Sequence, residues 1–199
     1  MAAAAFTFHR GARALDFVGT VGNRASERPL ERLPDPAALG RWLQAAGLLA
    51  APAALPTHAD YQQALELREA IARLYAALID TAPPAASDVA TINRLARELA
   101  RGAPYLELGQ SGLAERWQTQ APVRLALGRL AAEAIQLASA DADRLTRCQL
   151  PGCGTLLLSR ARNEPRRWCS MQTCGNRAKV AAFRARAHLG EPPTARSAD

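Results

Sequence analysis

Apolar side chains recur every three or four positions in four segments of the chain, and this spacing predicts four helices. The four segments are residues 35–46, 57–80, 87–102 and 122–140. Asp35 suits the N-terminal cap of the first helix, Pro36 suits its first turn and Gly47 suits its end. Thr57 and Asp60 have the spacing of a capping box at the start of the second helix.

The segments outside these helices have other patterns. We expect the third helix to begin at Ser87 and to direct Leu99 towards the core. Apolar residues on both sides of a glycine-rich turn then predict a β-hairpin over residues 104–118. Residues 6–24 lack periodicity, and we interpret them as an extended or irregular start of the chain.

These elements predict a mainly α fold with short β elements, of the α+β class. The chain has 199 residues, which allows one medium domain and one small module. Abundant alanine and leucine favour helices over sheet. We divide the chain into a helical domain with one β-hairpin (1–146), a small cysteine-bearing module (147–189) and a flexible tail (190–199).

The net charge of the chain is unevenly distributed. Lys and Arg number 25 against 18 Asp and Glu, which gives a net charge of +7. Residues 1–146 carry 15 charges of each sign, whereas residues 147–199 carry ten basic residues against three acidic ones. The basic end predicts a polyanionic partner, and a merely solvated basic surface is the alternative.

The sequence shows no secretory signal and no apolar stretch of membrane-spanning length. We therefore expect a cytoplasmic protein with no membrane partner, in which cysteines stay reduced. All four cysteines lie within 27 residues of one another. In a reducing compartment such a cluster is more typical of metal ligands than of disulfides.

The cysteines are spaced C-x4-C-x15-C-x4-C, as Cys148, Cys153, Cys169 and Cys174. Two close pairs can supply the tetrahedron of four thiolates that a structural zinc ion prefers. We therefore expect one structural Zn²⁺ per chain. Four buried or redox cysteines are the alternative, while a catalytic zinc is disfavoured because four thiolates leave no open coordination position.

The segment between the two cysteine pairs is interpreted as a hairpin, with strands at 155–159 and 166–168 joined by a turn at 162–165. This hairpin would return the second pair of cysteines to the first, and a helix follows Cys174. Knuckle, hairpin and helix in this order predict a treble-clef-like zinc module. One face of the helix should pack on the hairpin, and on a helical wheel that face comprises Asn176, Val180, Phe183 and Ala187.

Arginine is suited to bidentate contacts with phosphate and guanine. The candidate nucleic-acid-binding residues are the basic residues of the predicted hairpin and helix, namely Arg160, Arg162, Arg166, Arg167, Lys179, Arg184 and Arg186. Arg177 is expected instead to cap carbonyls or to pair with acids of the helical domain. Because the apolar helix face is assigned to packing, we expect the helix to clamp the nucleic-acid backbone and not to read bases.

The cysteine-bearing segment resembles the CGNR zinc-finger family, whose name is the motif at residues 174–177. The matching residues are the four cysteines with Arg167, Trp168, Ser170, Met171 and Lys179. Residues 15–24 and 35–49 resemble, more loosely, the helix-rich ABATE domain that precedes the zinc finger in that family. The resemblance implies a bacterial zinc-binding protein that acts as a stress-linked transcription regulator.

In the helical domain, the candidate ligand-binding residues are Asp16, Thr20 and Asn23. For Asp16, an internal ion pair with Arg13 or Arg24 is the stronger expectation. The histidines are isolated, and no nucleophile elbow, phosphate loop or carboxylate pair is visible, so we expect no enzymatic activity.

The leading hypothesis from the sequence is a zinc-binding transcription regulator that contacts DNA through the basic module. The helical domain would then sense a small-molecule effector or form a homodimer. An RNA-binding or ribosome-associated zinc protein is one alternative. An enzyme or small-molecule binder with a purely structural zinc module is another, and a module that only docks on its own helical domain is the last.

Overall fold

The computed structural model describes residues 6–8, 10–50, 55–109, 112–160 and 165–188, with side chains of the last helix described as far as Arg184. The α-helices of this part are α1 Arg13–Val18, α2 Pro36–Ala45, α3 His58–Ile79, α4 Ala86–Ala96, α5 Pro122–Ala140 and α6 Asn176–His188. The strands form three antiparallel pairs, which are β1 Val21–Gly22 with β2 Leu30–Glu31, β3 Gly102–Gly109 with β4 Gly112–Thr119, and β5 Leu145–Arg147 with β6 Leu156–Leu158. The mainly α fold with short β elements is confirmed. Among the described residues, no helix combines the length and the apolar character needed to cross a bilayer.

Helices α2 and α3 begin as the sequence predicts. The Asp35 carboxylate accepts a hydrogen bond from the Ala38 amide at 2.6 Å, which caps α2. Thr57 and Asp60 form a reciprocal capping box at the start of α3, with hydrogen bonds of 3.0 and 3.1 Å. Gly47, just after α2, has a φ of +69°, which glycine adopts without strain.

The expected extended or irregular start of the chain is wrong where the structure forms α1. Five of its six residues are buried, including Leu15 and Phe17. A helix of six residues that is buried on nearly every side has no polar face, so its sequence shows no amphipathic period. The two-residue strands β1 and β2 are likewise too short to give an alternating pattern.

Helix α4 begins at Ala86, one residue before the predicted Ser87, and no side chain caps it. The helix ends at Ala96, and a 3₁₀ turn over Arg97–Arg101 completes the predicted segment. Leu99 lies in this turn and is half-buried. The helix is therefore confirmed, while its last turn tightens into a different geometry.

Strands β3 and β4 form the predicted β-hairpin, which spans 102–119 and is longer than predicted. Residues 110 and 111, within its turn, lie outside the described residues. A Cβ atom on Gly102 would lie 2.8 Å from the Leu125 side chain, so glycine permits the base of the hairpin to sit close to α5.

Strand β6 has a different partner from the predicted one. It pairs with β5, in a register that runs from Leu145 opposite Leu158 to Arg147 opposite Leu156. The predicted partner, residues 166–168, forms no strand in the described part of the chain. Strand β5 is the favoured partner because its Leu145 is buried in the same core as Leu156 of β6. Residues 166–168 begin with two arginines, which cannot be buried in that core.

One hydrophobic core joins α1 to α5, and Trp42, Tyr75 and Phe17 are its largest fully buried side chains. Leu145 and Leu156, from β5 and β6, belong to the same core. The Leu158 amide also donates a 2.9 Å hydrogen bond to the Arg10 carbonyl. The strands that lead to the cysteines are thus built onto the helices.

The prediction that one face of α6 packs on a hairpin is wrong. Val180 and Phe183 are 48% and 61% exposed, and Asn176 is exposed as well. The side chain of Ala187 lies outside the described residues. The main neighbour of α6 is the π-helical turn Met171–Gly175 that precedes it, so the helix projects from the module.

A buried arginine links α3 to the β1–β2 region. Arg68 is 4% exposed, and its guanidinium donates two hydrogen bonds to Glu31, at 2.8 and 2.7 Å, and one to Glu69 at 2.9 Å. Burial opposes the charged form, but the hydrogen bonds and charge of Glu31 outweigh it and raise the pKa of Arg68. The ion pairs therefore keep this arginine charged inside the protein.

Replacing Arg68 by Met should destabilise the fold by about 1.5–3 kcal/mol, because half-exposed Glu31 would lose two charge-assisted hydrogen bonds, while Glu69 keeps its ion pair with Arg24. Arg94→Met is the matched control, since Arg94 is exposed and its one ion pair in the described part of the chain is with an exposed Glu66. The control should change stability by less than about 1 kcal/mol. Urea unfolding followed by circular dichroism measures both, and equal losses would contradict the role given to the buried network.

Candidate metal centre and basic surface

The first pair of cysteines lies in a tight knuckle between β5 and β6. The Cys148 amide donates to the Thr155 carbonyl at 2.8 Å, and the Cys153 amide donates to the Leu150 carbonyl at 3.1 Å. Gly154 has a φ of +63°, and a Cβ atom there would lie 2.8 Å from Ala25. Glycine is therefore required both for the turn and for the close approach of the knuckle to the β1–β2 loop.

The second pair of cysteines lies where the chain enters α6. Cys174 belongs to the π-helical turn that runs directly into the helix, and the Ser170 hydroxyl accepts a hydrogen bond from the Thr173 amide at 3.3 Å. Arg166 donates to the Cys169 carbonyl at 2.6 Å and to the Trp168 carbonyl at 3.0 Å. These contacts order the backbone on both sides of Cys169.

The four sulfur atoms lie within 4.8 Å of one another. Cys153 Sγ is 3.7 Å from Cys169 Sγ and from Cys174 Sγ, and the last two sulfurs are 3.3 Å apart. A tetrahedron with Zn–S bonds of about 2.3 Å has sulfur–sulfur edges of roughly 3.8 Å. The arrangement therefore fits one tetrahedral zinc ion, and it confirms that the structure brings all four predicted ligands together.

Hydrogen bonding between neighbouring thiols shifts the pKa values of Cys153 and Cys169 in opposite directions. A hydrogen bond from Cys169, together with those from Thr155 and Cys148, lowers the pKa of Cys153 to about 4. Donating that hydrogen bond raises the pKa of Cys169, as does burial. Four adjacent thiolates repel one another, so a divalent cation is what allows all four to ionise together.

The side chains that surround the sulfurs form only a small apolar cluster. Leu157 is fully buried in it, with Leu150 and Trp168 packed at its margin. So little apolar surface contributes little hydrophobic stabilisation, and metal binding must supply most of the energy that orders Cys169, Cys174 and the start of α6.

The basic residues predicted to contact nucleic acid fall into two groups. Arg166 and Arg167 already have partners within the module. Arg166 donates hydrogen bonds to two backbone carbonyls. Arg167 donates a 2.9 Å hydrogen bond to Gln149 and lies 5.2 Å from the centre of the Trp168 ring. The side chains of Arg160, Lys179 and Arg184 are exposed and have no polar partner among the described residues. Arg162 lies outside the described residues, and so does the side chain of Arg186.

The expectation for Arg177 is wrong within the described part of the chain. Arg177 is exposed, and it neither caps a carbonyl there nor pairs with an acid. Only Glu164 is acidic between residues 147 and 190, so the module offers this arginine almost no internal partner. Arg177 therefore joins the free cations of α6.

The three ligand candidates near the start of the chain serve the fold. Asp16 is buried and its Oδ1 accepts hydrogen bonds from both the backbone and the side chain of Arg10, at 3.1 and 3.2 Å. The predicted internal ion pair exists, but the predicted partners are wrong. Arg13 donates to the Ala46 carbonyl and Arg24 pairs with Glu69, because tertiary packing directs them elsewhere.

Thr20 and Asn23 also have internal partners. The Thr20 hydroxyl donates to the Phe17 carbonyl at 2.7 Å and accepts from Arg68 at 3.2 Å. Asn23 has a φ of +49° and its carbonyl accepts two hydrogen bonds from Ser26, which makes a turn. The hydrogen bonds account for the Thr20 hydroxyl without a ligand, and the positive φ accounts for an asparagine at position 23.

A cleft of about 570 Å³ separates α1 from the zinc module. Its charged lining comes from both sides, with Arg13, Asp16 and Glu133 from the helical part and Arg160 and Arg166 from the module. Glu133 accepts a 2.6 Å hydrogen bond from the Ala14 amide, at the start of α1. Sequence reasoning missed this cleft, because its residues lie far apart along the chain.

Two family models match the chain. Residues 11–141 match ABATE, described as "Putative stress-induced transcription regulator", and residues 144–187 match the CGNR zinc finger. No match was found among curated proteins. Together with the geometry of the sulfurs, the zinc-finger match establishes that Cys148, Cys153, Cys169 and Cys174 hold a single structural zinc ion.

Replacing Cys169 by Ser should remove the zinc, with a stoichiometry that falls from one per chain towards zero, because a hydroxyl does not replace a thiolate ligand. Ser170→Ala is the control, since it alters the neighbouring residue but keeps all four sulfurs. It should retain the metal. Zinc released on denaturation, measured with a chromogenic chelator, reports both; a zinc-free wild-type protein would contradict the assignment.

Proposed function

Since the chain belongs to the ABATE family and ends in a CGNR zinc finger, we propose that it is a transcription regulator that binds duplex DNA through its zinc module. The observation that carries the proposal is the free basic surface of α6. Arg177, Lys179 and Arg184 project from this helix without an internal partner among the described residues. Residues 147–199, with ten basic and three acidic residues, account for the whole net charge of the chain.

One face of α6 has the chemistry that base recognition requires. Successive residues turn by 100°, which places Arg177, Val180, Ala181 and Arg184 on one side of the helix. These residues line a shallow surface depression together with Asn176. Arginine donors suit guanine, asparagine suits adenine and small apolar groups suit the thymine methyl group.

The exposure of α6 changes the expected mode of binding. A helix whose apolar face packed on its own module could only clamp the backbone, but this face is open to solvent. The major groove of B-DNA is about 12 Å wide and admits a helix. Lys179 lies on the opposite side from Arg177 on the wheel, where a phosphate contact suits it. We therefore propose that α6 reads bases with one face and contacts the backbone with its flank.

The same geometry favours DNA over RNA as the partner. The major groove of A-form RNA is deep and narrow and does not admit side chains to the base edges. A projecting helix with a mixed reading face thus suits B-form DNA. Trp168 of the module is half-buried beneath Arg167, which leaves Phe183 as the one tryptophan, tyrosine or phenylalanine of the described module that is open for stacking on a single-stranded base.

Regulation by the helical part is the second component of the proposal. A small molecule in the cleft between α1 and the module would touch both parts at once, because Arg13 and Arg160 line the same space. We assign no catalysis to this cleft. Its carboxylates, Asp16 and Glu133, both accept internal hydrogen bonds, which supports a binding role over acid–base chemistry. A cytoplasmic location follows from the proposal, because DNA lies there.

The decisive measurement begins with selection of duplex DNA from a random library, followed by anisotropy titrations of the selected site at several salt concentrations. Lys179→Gln should weaken binding to all sequences alike and reduce the log–log salt slope by about 0.9, the value for one phosphate contact. Arg177→Gln or Arg184→Gln should instead relax preference at one base position, by about 1–3 kcal/mol.

Arg41→Gln is the matched control, because Arg41 is an exposed arginine on α2 without a polar partner among the described residues. It should change neither the slope nor the preference. Binding that vanishes in the zinc-free Cys169→Ser protein supports use of the module. Absence of DNA binding at low salt, or an affinity that does not change with salt concentration, would contradict the proposal. Tighter binding to single-stranded RNA than to DNA would indicate an RNA-binding protein instead.

A further inference from the structure

The β3–β4 hairpin, residues 102–109 and 112–119, projects from the helices, and we refer to it as the arm. Three of its leucines are almost as accessible as in an extended chain: Leu106 is 70% exposed, Leu108 is 80% exposed and Leu113 is 70% exposed. Soluble proteins rarely leave several large apolar side chains together in water without an interaction that covers them.

The register of the arm places these leucines on one face. Leu108 lies directly opposite Leu113, and Leu106 lies opposite Glu115. Residues that face each other across an antiparallel pair, and residues two apart along a strand, project to the same side. All three leucines therefore share one face, and the Pro104–Trp117 pair continues that face to the base of the arm.

At its base, this face is covered by the protein itself. Trp117 is half-buried, with the Arg129 guanidinium of α5 lying 5.1 Å from its ring centre. Glu115 directs its carboxylate to the Trp117 indole N–H and lies 3.8 Å from Arg129. The one charged group on the face is thus tied to the base, which leaves the outer half of the face purely apolar.

A hairpin of two strands is at best marginally stable in water, and stability normally requires further strands or a packed face. Beyond its base, the arm has neither a third strand nor a packed face in the described part of the chain. Each strand has one partner, so its outer edge also presents unpaired backbone groups. A long, ordered and exposed apolar arm of this kind needs a partner.

We propose that the arm is a dimerisation surface and that its partner is the arm of a second copy of this chain, with the two leucine faces packed together across a two-fold axis. A symmetric contact requires a surface that fits itself, and a flat apolar face does so without matching charges. This inference is independent of the proposed DNA binding.

The charge distribution favours a second copy over other partners. The described residues of the arm carry Glu107, Glu115 and Arg116, and Glu107 and Arg116 already pair with each other at 2.8 Å. Two arms therefore approach with a net charge of only −1 each, although the whole chain carries +7. The basic residues of the zinc module lie on other elements of the chain.

The size of the arm sets the scale of this contact. The leucine face carries eight of the 16 residues of the two strands. A standard interface involves roughly 20–30 residues from each partner, so two arms make a small contact in which each leucine contributes a large share. If an arm packed on an unrelated flat surface, only its own leucine face would be covered. Two crossed arms cover the leucine faces of both copies.

Sedimentation velocity and light scattering on the zinc-loaded full-length protein, without DNA, test the proposal. The wild-type protein should have about twice the 21.3 kDa mass of the chain at micromolar concentration. Leu108→Glu and Leu113→Glu should each raise the dissociation constant of the dimer by about 100-fold or more, since each removes an apolar contact from both copies. Leu108→Met should keep the dimer.

Leu55→Glu is the matched control, because Leu55 is 78% exposed but lies outside the arm. It should leave the mass unchanged, and circular dichroism should show native helix content in every variant. A wild-type monomer at 100-fold higher concentration would overturn the proposal. A dimer that survives both arm substitutions, or one that Leu55→Glu also disrupts, would overturn it as well, by placing the contact on another surface.

Discussion

The burial of Leu145 and Leu156 against the helices is the interaction on which the position of the metal centre depends. These two side chains join the core of α1 to α5, and the strands that carry them lead into and out of the first cysteine pair. An ion pair between Arg147 and Asp80, at 2.9 Å, and the close approach of Gly154 to Ala25 attach the knuckle at two further points. The first half of the zinc site is thus set by the hydrophobic core, and the second half is set by the metal.

This division explains how the two ends of the zinc module differ. Cys148 and Cys153 sit on a backbone that is already hydrogen-bonded and packed. Cys169 and Cys174 belong to a segment that contacts the rest of the described chain through the packing of Trp168 and the hydrogen bonds between Arg167 and Gln149. The zinc ion therefore acts chiefly on the second pair, and through Cys174 it orients α6, whose first residue is only two positions further along. Metal coordination therefore also fixes the direction in which the basic helix α6 leaves the module.

Local signals in the sequence are sufficient for the long helices and for the ligands. Asp35 and the Thr57–Asp60 box define helix starts through contacts within four residues, and the cysteine spacing restricts the chemistry without knowledge of the fold. Non-local choices are different. The residues next to β6 do not indicate that it pairs with β5, and those next to Asp16 do not indicate that its partner is Arg10 and not Arg13. Both outcomes depend on which surface the core buries. Arg68 is an intermediate case, since a charged residue between Leu67 and Ile71 on the buried side of α3 signals an internal partner but does not identify it.

The hydrogen bond from Leu158 to Arg10 joins residues 148 positions apart in the chain. During synthesis at roughly 5–20 residues per second, the segment around Arg10 therefore waits about 7–30 seconds for its partner strand to be made. Helix α1 is in a similar position, because Glu133 of α5 accepts a hydrogen bond from the Ala14 amide in its first turn. These two hydrogen bonds at the beginning of the chain thus form late, after α3 and α4 have been made, whereas the packing of Phe17 on Trp42 requires only α1 and α2.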